Sequence, residues 1–180
     1  TSVIRFCRRL GFSGYKNFQN ALRSEMKYQS PLPAKLQLTL EESVDNGLLA
    51  QTIQQGIQCI QKTFSEISPE LLTDTVNSLL NAKRVFVYGM KESYAVTHYA
   101  WTRFLTVRDN AYILDAYNGC VEAIHSLTAE DICVVFLFHR YTKETLRILE
   151  LLKSRNIPVL LITSPPYDSL VSYAKKIIPC

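Results

Sequence analysis

Residues 84–95 read RVFVYGMKESYA. Val85 to Tyr88 run without a polar break, Gly89 follows, and a polar cluster then leads into the helix-length stretch ESYAVTHYAWTRFLTV (92–107). A short apolar run closed by glycine reads as a strand buried on both faces, because a strand with one wet face would alternate. A strand that enters a helix through a tight turn is half of a βα unit, and the pattern repeats along the chain. NAYILD (110–115), DICVVFLF (131–138), IPVLLIT (157–163) and KKIIPC (175–180) are four more β-rich runs. Helical stretches separate them: CVEAIHSL (120–127), TKETLRILELLKSRN (142–156) and YDSLVSYAK (167–175). Strands alternating with helices predict an α/β domain with a five-stranded parallel sheet flanked by helices.

Upstream of this block, SPELLTDTVNSLLNA (68–82) predicts a helix capped by Ser68, with Pro69 at its first position and Glu70 favourable to its dipole. Another helix is expected from Val44. In it Ile53, Ile57, Ile60, Phe64 and Ile67 step by 4, 3, 4 and 3 residues. Such a narrow stripe suits helix–helix packing, either over the domain's own sheet or in a dimer interface. KYQSPLPAKLQLTLEES (27–43) holds two prolines and no sustained period, and reads as an extended linker.

The 180 residues suffice for one good core and a smaller appendage. The composition, 47% hydrophobic and 20% charged, is that of a globular chain, and no apolar run reaches the length of a membrane span. The five cysteines (7, 59, 120, 133, 180) form no CxxC pair, so reduced thiols and a cytoplasmic location are expected rather than a disulfide framework. The histidines (98, 125, 139) lack metal-ligand spacing; no metal and no cofactor are expected.

Charge is unevenly spread. Residues 1–27 carry Arg5, Arg8, Arg9, Lys16, Arg23 and Lys27 against Glu25, a net of +5, whereas the whole chain is +4. A basic module joined to a neutral one points to nucleic acid as the module's partner. In TSVIRFCRRL (1–10), Val3, Phe6, Cys7 and Leu10 make one apolar stripe, with Arg5 and Arg9 opposite and Thr1 and Arg8 beside them. Gly11 supplies a helix stop, Ser13 is the expected cap of the next helix, and YKNFQNALRSEM (15–26) puts Tyr15, Phe18 and Leu22 on one face. A short helix with small polar residues at its start and arginines along one face fits a DNA major groove.

The wording of residues 2–18, SVIRFCRRLGFSGYKNF, resembles the recognition helix and following turn of the RpiR/MurR family of bacterial transcriptional regulators. The resemblance implies DNA binding by Thr1, Ser2, Arg5, Arg8 and Arg9. It also implies two further helices upstream, without which the first helix should fray or borrow contacts and specific DNA affinity should be largely lost. Residues 44–180 resemble the SIS (sugar isomerase) domain that follows the helix-turn-helix in those regulators. Three motifs carry this likeness in order: AKRVFVYG with SYA, DICVVFLF with TKETL, and IPVLLITSPPYDSLVSYA. The resemblance implies a flavodoxin-like sheet, usually in a homodimer. It divides the chain into an incomplete all-α helix-turn-helix segment (1–27), a linker (28–43) and an effector-binding, dimerising domain (44–180) truncated at its C-terminus. That truncation would leave a sheet face bare, with swapped dimer contacts or poor solubility as the expected result.

Ligands of parallel sheets bind beyond the carboxyl ends of the strands. Two loops qualify, YGMKESYA (88–95) and FHRYTKET (138–145). In many SIS domains the second reads S-x-S-G-x-T and holds a sugar phosphate; here both serines and the glycine are gone, and the loop resembles an F-R-R-Y variant found in some RpiR-type regulators. At the first loop Lys91 stands where a second glycine often sits. Lys91 and Arg140 would then replace an amide cradle by two cations, with Gly89, Ser93, His139, Tyr141 and Thr142 completing the site. The ligand would be a small anion, a sugar phosphate among the candidates. The plainer alternative pairs Arg140 with Glu144 and leaves the site empty. No catalytic residue is assigned, since His139 has no matched carboxylate to isomerise a ketose. A ligand-responsive regulator is the expected function; a sugar-phosphate isomerase of the same fold, or a module that only dimerises, are the alternatives.

Overall fold

The computed structural model of the chain describes residues 2–29, 48–139 and 141–180. Thr1, Arg140, most of the expected linker and the expected helix start at Val44 lie outside the described residues, and Ser2 is described by its backbone alone. The chain forms two compact units, residues 1–56 and 57–180.

The first unit contains α1 (Ser2–Arg9) and α2 (Tyr15–Gln29). Helix α1 ends as the sequence demands. Gly11 takes φ +85°, its N–H donates to the Arg8 carbonyl (3.1 Å), and the Phe12 N–H donates to the Cys7 carbonyl (3.0 Å). That is the Schellman pairing, which needs a left-handed residue just past the helix. Phe18 of α2 receives Phe6 and Phe12 edge-on at centroid distances of 5.9 and 5.4 Å. The expected apolar stripe is only partly inward. Cys7 is fully buried, but Val3, Phe6 and Leu10 stay about half-exposed, since two short helices offer each other little area. Arg5, Arg8 and Arg9 are exposed. Ser13 is not the cap of α2: the helix starts one residue later than a Ser13 cap requires, and the Ser13 hydroxyl accepts from the Asn17 side-chain amide instead.

Helix α3 spans Leu48–Glu66. The second unit continues with α4 (Pro69–Asn81), β1 (Val85–Tyr88), α5 (Glu92–Leu105), β2 (Ala111–Ile113), α6 (Cys120–His125), β3 (Ile132–Phe136), α7 (Lys143–Ser154), β4 (Val159–Thr163), a 3-10 helix (Asp168–Tyr173) and β5 (Lys176–Pro179). All five strands are parallel, in the order β2-β1-β3-β4-β5. The segment 167–175, read from the sequence as helical, forms the 3-10 helix over Asp168–Tyr173.

The unbroken apolar runs are explained by two cores, one on each sheet face. Phe86, Tyr88, Cys133, Val135, Val159 and Leu161 point to the side covered by α6, α7 and the 3-10 helix, where Ile124, Leu149, Leu152 and Leu170 meet them. Val85, Val87, Ile132, Val134, Phe136 and Leu160 point to the other side, against Leu79 and Ala82 at the end of α4 and Ala100, Trp101 and Phe104 of α5. Each strand still alternates with period two, but both faces are dry, so polar residues have no place in it.

Candidate functional site

The strand order reverses between β1 and β3: the chain leaves β1 for β2 on one side and returns to β3 on the other. Loops that diverge at such a switch leave a crevice at the carboxyl ends of the two strands. The two loops singled out in the sequence are those that follow β1 and β3.

In the β1 loop the approach is tight. A Cβ on Gly89 would run into the Thr97 hydroxyl and stand 3.0 Å from Ser93 Cβ and 3.1 Å from the Ser93 carbonyl oxygen. Thr97 has little freedom to yield, because its hydroxyl donates to that same carbonyl at 2.8 Å and the residue is fully buried. Gly89 is therefore what lets α5 begin so close to β1. Lys91 sits at φ 53°, ψ −122°, and the Ser93 N–H donates to the Met90 carbonyl at 3.0 Å. This is the geometry of a type II′ turn with Lys91 at its first central position, where glycine is preferred. The residue that the sequence marks as replacing a glycine thus keeps a glycine's backbone conformation. Its side chain is exposed and caps nothing, and Ser93, directly beyond it, is buried.

The β3 loop is tied down from three directions. The Thr142 hydroxyl accepts from the Thr145 N–H (3.1 Å), lies 3.0 Å from the Thr145 hydroxyl and donates to Met90 Sδ at 3.7 Å. Thr142 is thus the N-cap of α7 and also the bridge to the β1 loop. Tyr88, at the end of β1, is almost completely buried. Burial drives the Tyr88 phenol well above its ordinary range, so it is neutral at any physiological pH. Tyr141 donates its hydroxyl to the Pro166 carbonyl at 3.0 Å and so fastens the β3 loop to the β4 loop. The exposed His139 ring meets the Tyr141 ring edge-on, with centroids 5.2 Å apart.

The Glu144 carboxyl, in the first turn of α7, is held below its usual value first by its own backbone N–H, and further by Thr142, Arg147 and Lys91. The structure thus brings Gly89, Lys91, Ser93, Tyr141 and Thr142 to one end of two adjacent strands, with His139 on the exposed side; Arg140 lies outside the described residues. Sequence reasoning missed the floor of the site. Met90, Thr145 and Tyr88 read there as loop, helix and strand residues, and no spacing rule links positions about fifty residues apart. Thr142 carried a signal of its own, since a threonine directly before a helical period reads as an N-cap. No helix among the described residues is long and apolar enough to cross a membrane.

Taken together, a 2-1-3-4-5 parallel sheet with two cores and a tight, polar pair of loops at its switch point defines a flavodoxin-like α/β domain. The chain belongs to the SIS-domain family, whose sequence model matches residues 78–179. It is also similar, at 24% identity over 99% of its length, to an HTH-type transcriptional regulator of Providencia stuartii, and spans 63% of that relative. Among solved structures, the Vibrio vulnificus NanR protein complexed with ManNAc-6P is 22% identical and covers 99% of this chain and 61% of its own, with a TM-score of 0.63. The sugar isomerase domain of an RpiR transcription factor from Sphaerobacter thermophilus is 21% identical over 73% of this chain and 74% of its own, with a TM-score of 0.65. The resemblance to RpiR-type regulators read from the sequence is matched by these relatives, and the fold is that of the solved structures.

Proposed function

We infer that the chain is part of a bacterial transcriptional regulator, in which residues 1–27 contribute to a DNA-binding helix-turn-helix, 28–43 link, and 44–180 sense a small anion and dimerise. The observation that carries this reading is the similarity to an HTH-type regulator along 99% of the chain, basic first segment included. Exposed Arg5, Arg8 and Arg9 on α1 support it, since their guanidinium groups are free to meet phosphate or guanine. Thr1 and Ser2 would stand at the start of that helix, and groove reading needs the additional helices that the motif implies.

The effector site is assigned to the crevice between the β1 and β3 loops. Lys91 offers a charge there, Ser93 and the start of α5 offer polar groups, and His139, Tyr141 and Thr142 form the other wall; Arg140, which the sequence reading adds to the site, lies outside the described residues. The protein is assigned to the cytoplasm, where phosphosugars and DNA meet, with no catalytic role. Effector binding would alter the placement of two domains in a dimer and hence the spacing of the DNA-reading helices.

The test is calorimetric titration with hexose and hexosamine 6-phosphates, ManNAc-6P among them. A phosphosugar should bind, and Lys91→Ala and Arg140→Ala should each weaken it about tenfold or more, as expected for loss of a charge-assisted contact. Equal affinity in the wild type and both variants would move the site elsewhere. Turnover of a ketose phosphate in a coupled assay would replace the regulator by an isomerase.

A further inference from the structure

Two tyrosines outside the residues assigned to the effector crevice stand at the same end of the sheet. Tyr94, one residue past Ser93, lies in the first turn of α5 and is half-buried. Tyr117, in the loop that follows β2, is 67% exposed. Their rings meet edge to face with centroids 6.5 Å apart. Strands β1 and β2 are parallel neighbours, and the Leu114 N–H donates to the Val87 carbonyl at 2.9 Å, so the loops after both leave from one end.

The geometry points to Tyr94 and Tyr117 as the wall that closes the effector crevice on its β2 side, their rings taking the C–H face of a pyranose. The ligand read by this wall is a cyclic phosphosugar, not a ringless phosphate. This rests on the effector reading above and adds which part of the ligand is recognised besides its charge.

Topology puts the pair there. Helix α5 packs on one face of the sheet through Ala100, Trp101 and Phe104, while α6 and α7 pack on the other. The β1 loop therefore departs toward one face and the β2 and β3 loops toward the opposite one, which leaves the end of β1 with a loop on either side. Met90, Ala116 and Tyr141, one from each of the three loops, rest on a single core. The β3 loop bounds the crevice on one side; the Tyr94–Tyr117 contact spans the β1 and β2 loops on the other.

The pair is also braced before any ligand arrives. The Tyr117 N–H donates to Asp115 Oδ1 at 2.9 Å and the Asn118 N–H to the Asp115 carbonyl at 3.2 Å, which fixes the turn that carries Tyr117. Behind Tyr94, His98 and Trp101 continue an aromatic row along α5, with centroid spacings of 6.4 and 5.5 Å. The row is anchored where Trp101 Nε1–H donates to the Ala111 carbonyl of β2 at 3.2 Å. Tyrosine has two side-chain torsions to lose, so a ring already held offers contact area at little entropic cost. Neither phenol has a hydrogen-bond partner among the described residues. An apolar ring face with a wet hydroxyl at its rim matches a hexose, which carries C–H groups on its face and hydroxyls around its edge. A bare phosphate would use neither.

Calorimetric titration of the full chain with hexose 6-phosphates, hexosamine 6-phosphates and glycerol 3-phosphate tests the wall. The proteins are the wild type, Tyr117→Ala, Tyr117→Phe and Tyr99→Ala, the last an exposed substitution on α5 outside the aromatic row. The wild type should prefer a cyclic phosphosugar to glycerol 3-phosphate about tenfold or more. Tyr117→Ala should weaken the cyclic ligand about fivefold and leave glycerol 3-phosphate unchanged. Tyr117→Phe, which keeps the ring, and Tyr99→Ala should bind as the wild type does. The wall is overturned, and the effector site left standing, if Tyr117→Ala binds the cyclic ligand as tightly as the wild type, if it loses both ligands equally, if Tyr99→Ala or Tyr117→Phe loses as much, or if the wild type shows no preference for the ring. A wild type that binds no phosphosugar would overturn the effector reading itself, and the wall with it.

Discussion

At the scale of single residues the loop after β1 is the most informative place in the chain. Lys91 occupies a backbone region in which a side chain is strained, at φ 53°. Strain of that kind costs about 1–3 kcal/mol and persists where something else requires the residue. Replacement by glycine should therefore separate stability from binding. Lys91→Gly is expected to stabilise the domain by about 1 kcal/mol, after allowing for the larger unfolded-state entropy of glycine, a rise in melting temperature of about 2–4 °C. It should at the same time weaken phosphosugar binding as Lys91→Ala does. Thermal melts and titration on the same variant read both effects. A drop in melting temperature would show that the Lys91 side chain holds the turn together, and the strain argument would fail.

At the scale of elements, capping decides where helices start and stop. Helix α4 begins as the sequence predicts. The Ser68 hydroxyl accepts from the Leu71 N–H at 3.1 Å, Pro69 takes the first turn, and the Glu70 carboxyl is lowered by its own backbone N–H and by Ser68. Ser68→Ala should cost about 1 kcal/mol, measured as a lower urea midpoint with unchanged slope. Helix α7 ends in a Schellman pairing like that of α1, but with Asn156 at φ 57° in the glycine position; its N–H donates to the Lys153 carbonyl and that of Ile157 to the Leu152 carbonyl. Ser13 shows the limit of such rules: a cap signal one residue out of place is settled by what the neighbours pack against.

At the scale of the whole domain, the two ends of the sheet have different work. The carboxyl ends of β1 and β3 carry the candidate site, while their amino ends are fastened by charge. Arg84 precedes β1 and Asp131 precedes β3; Arg84 Nε and Nη2 donate to the two Asp131 oxygens at 2.9 and 2.7 Å. The carboxylate is buried and also accepts from the Thr128 N–H and hydroxyl. Burial by itself would push its pKa up, but these hydrogen bonds from Arg84 and Thr128 outweigh it and hold the group below the ordinary carboxylate value. A carboxyl depressed in the folded state adds stability above its unfolded pKa of about 4, and loses it as pH falls below that through the folded value. Arg84→Ala should accordingly cost about 3 kcal/mol at pH 7, where it strands a buried charge, and distinctly less in acid, where the Asp131 carboxyl of the variant, raised by burial without Arg84 to oppose it, takes up a proton. Urea denaturation at both pH values checks this; an equal loss at both would mean that Arg84 acts through packing on Phe86, over which its guanidinium lies at 5.1 Å.

The sequence by itself determined the sheet, the positions of its five strands, the two loops at the switch point and the basic opening segment. These rest on local signals: unbroken apolar runs, helical periods, glycine and cap residues, and charge counted along the chain. Tertiary structure alone decided what those residues touch. It set Thr145 against Thr142, joined Met90 to the β3 loop, kept a glycine's backbone at Lys91 and left the apolar stripe of α3 exposed. Contacts between residues far apart in the chain follow from how the strands cross over, and a strand's apolar run records that it is buried without recording against which neighbour.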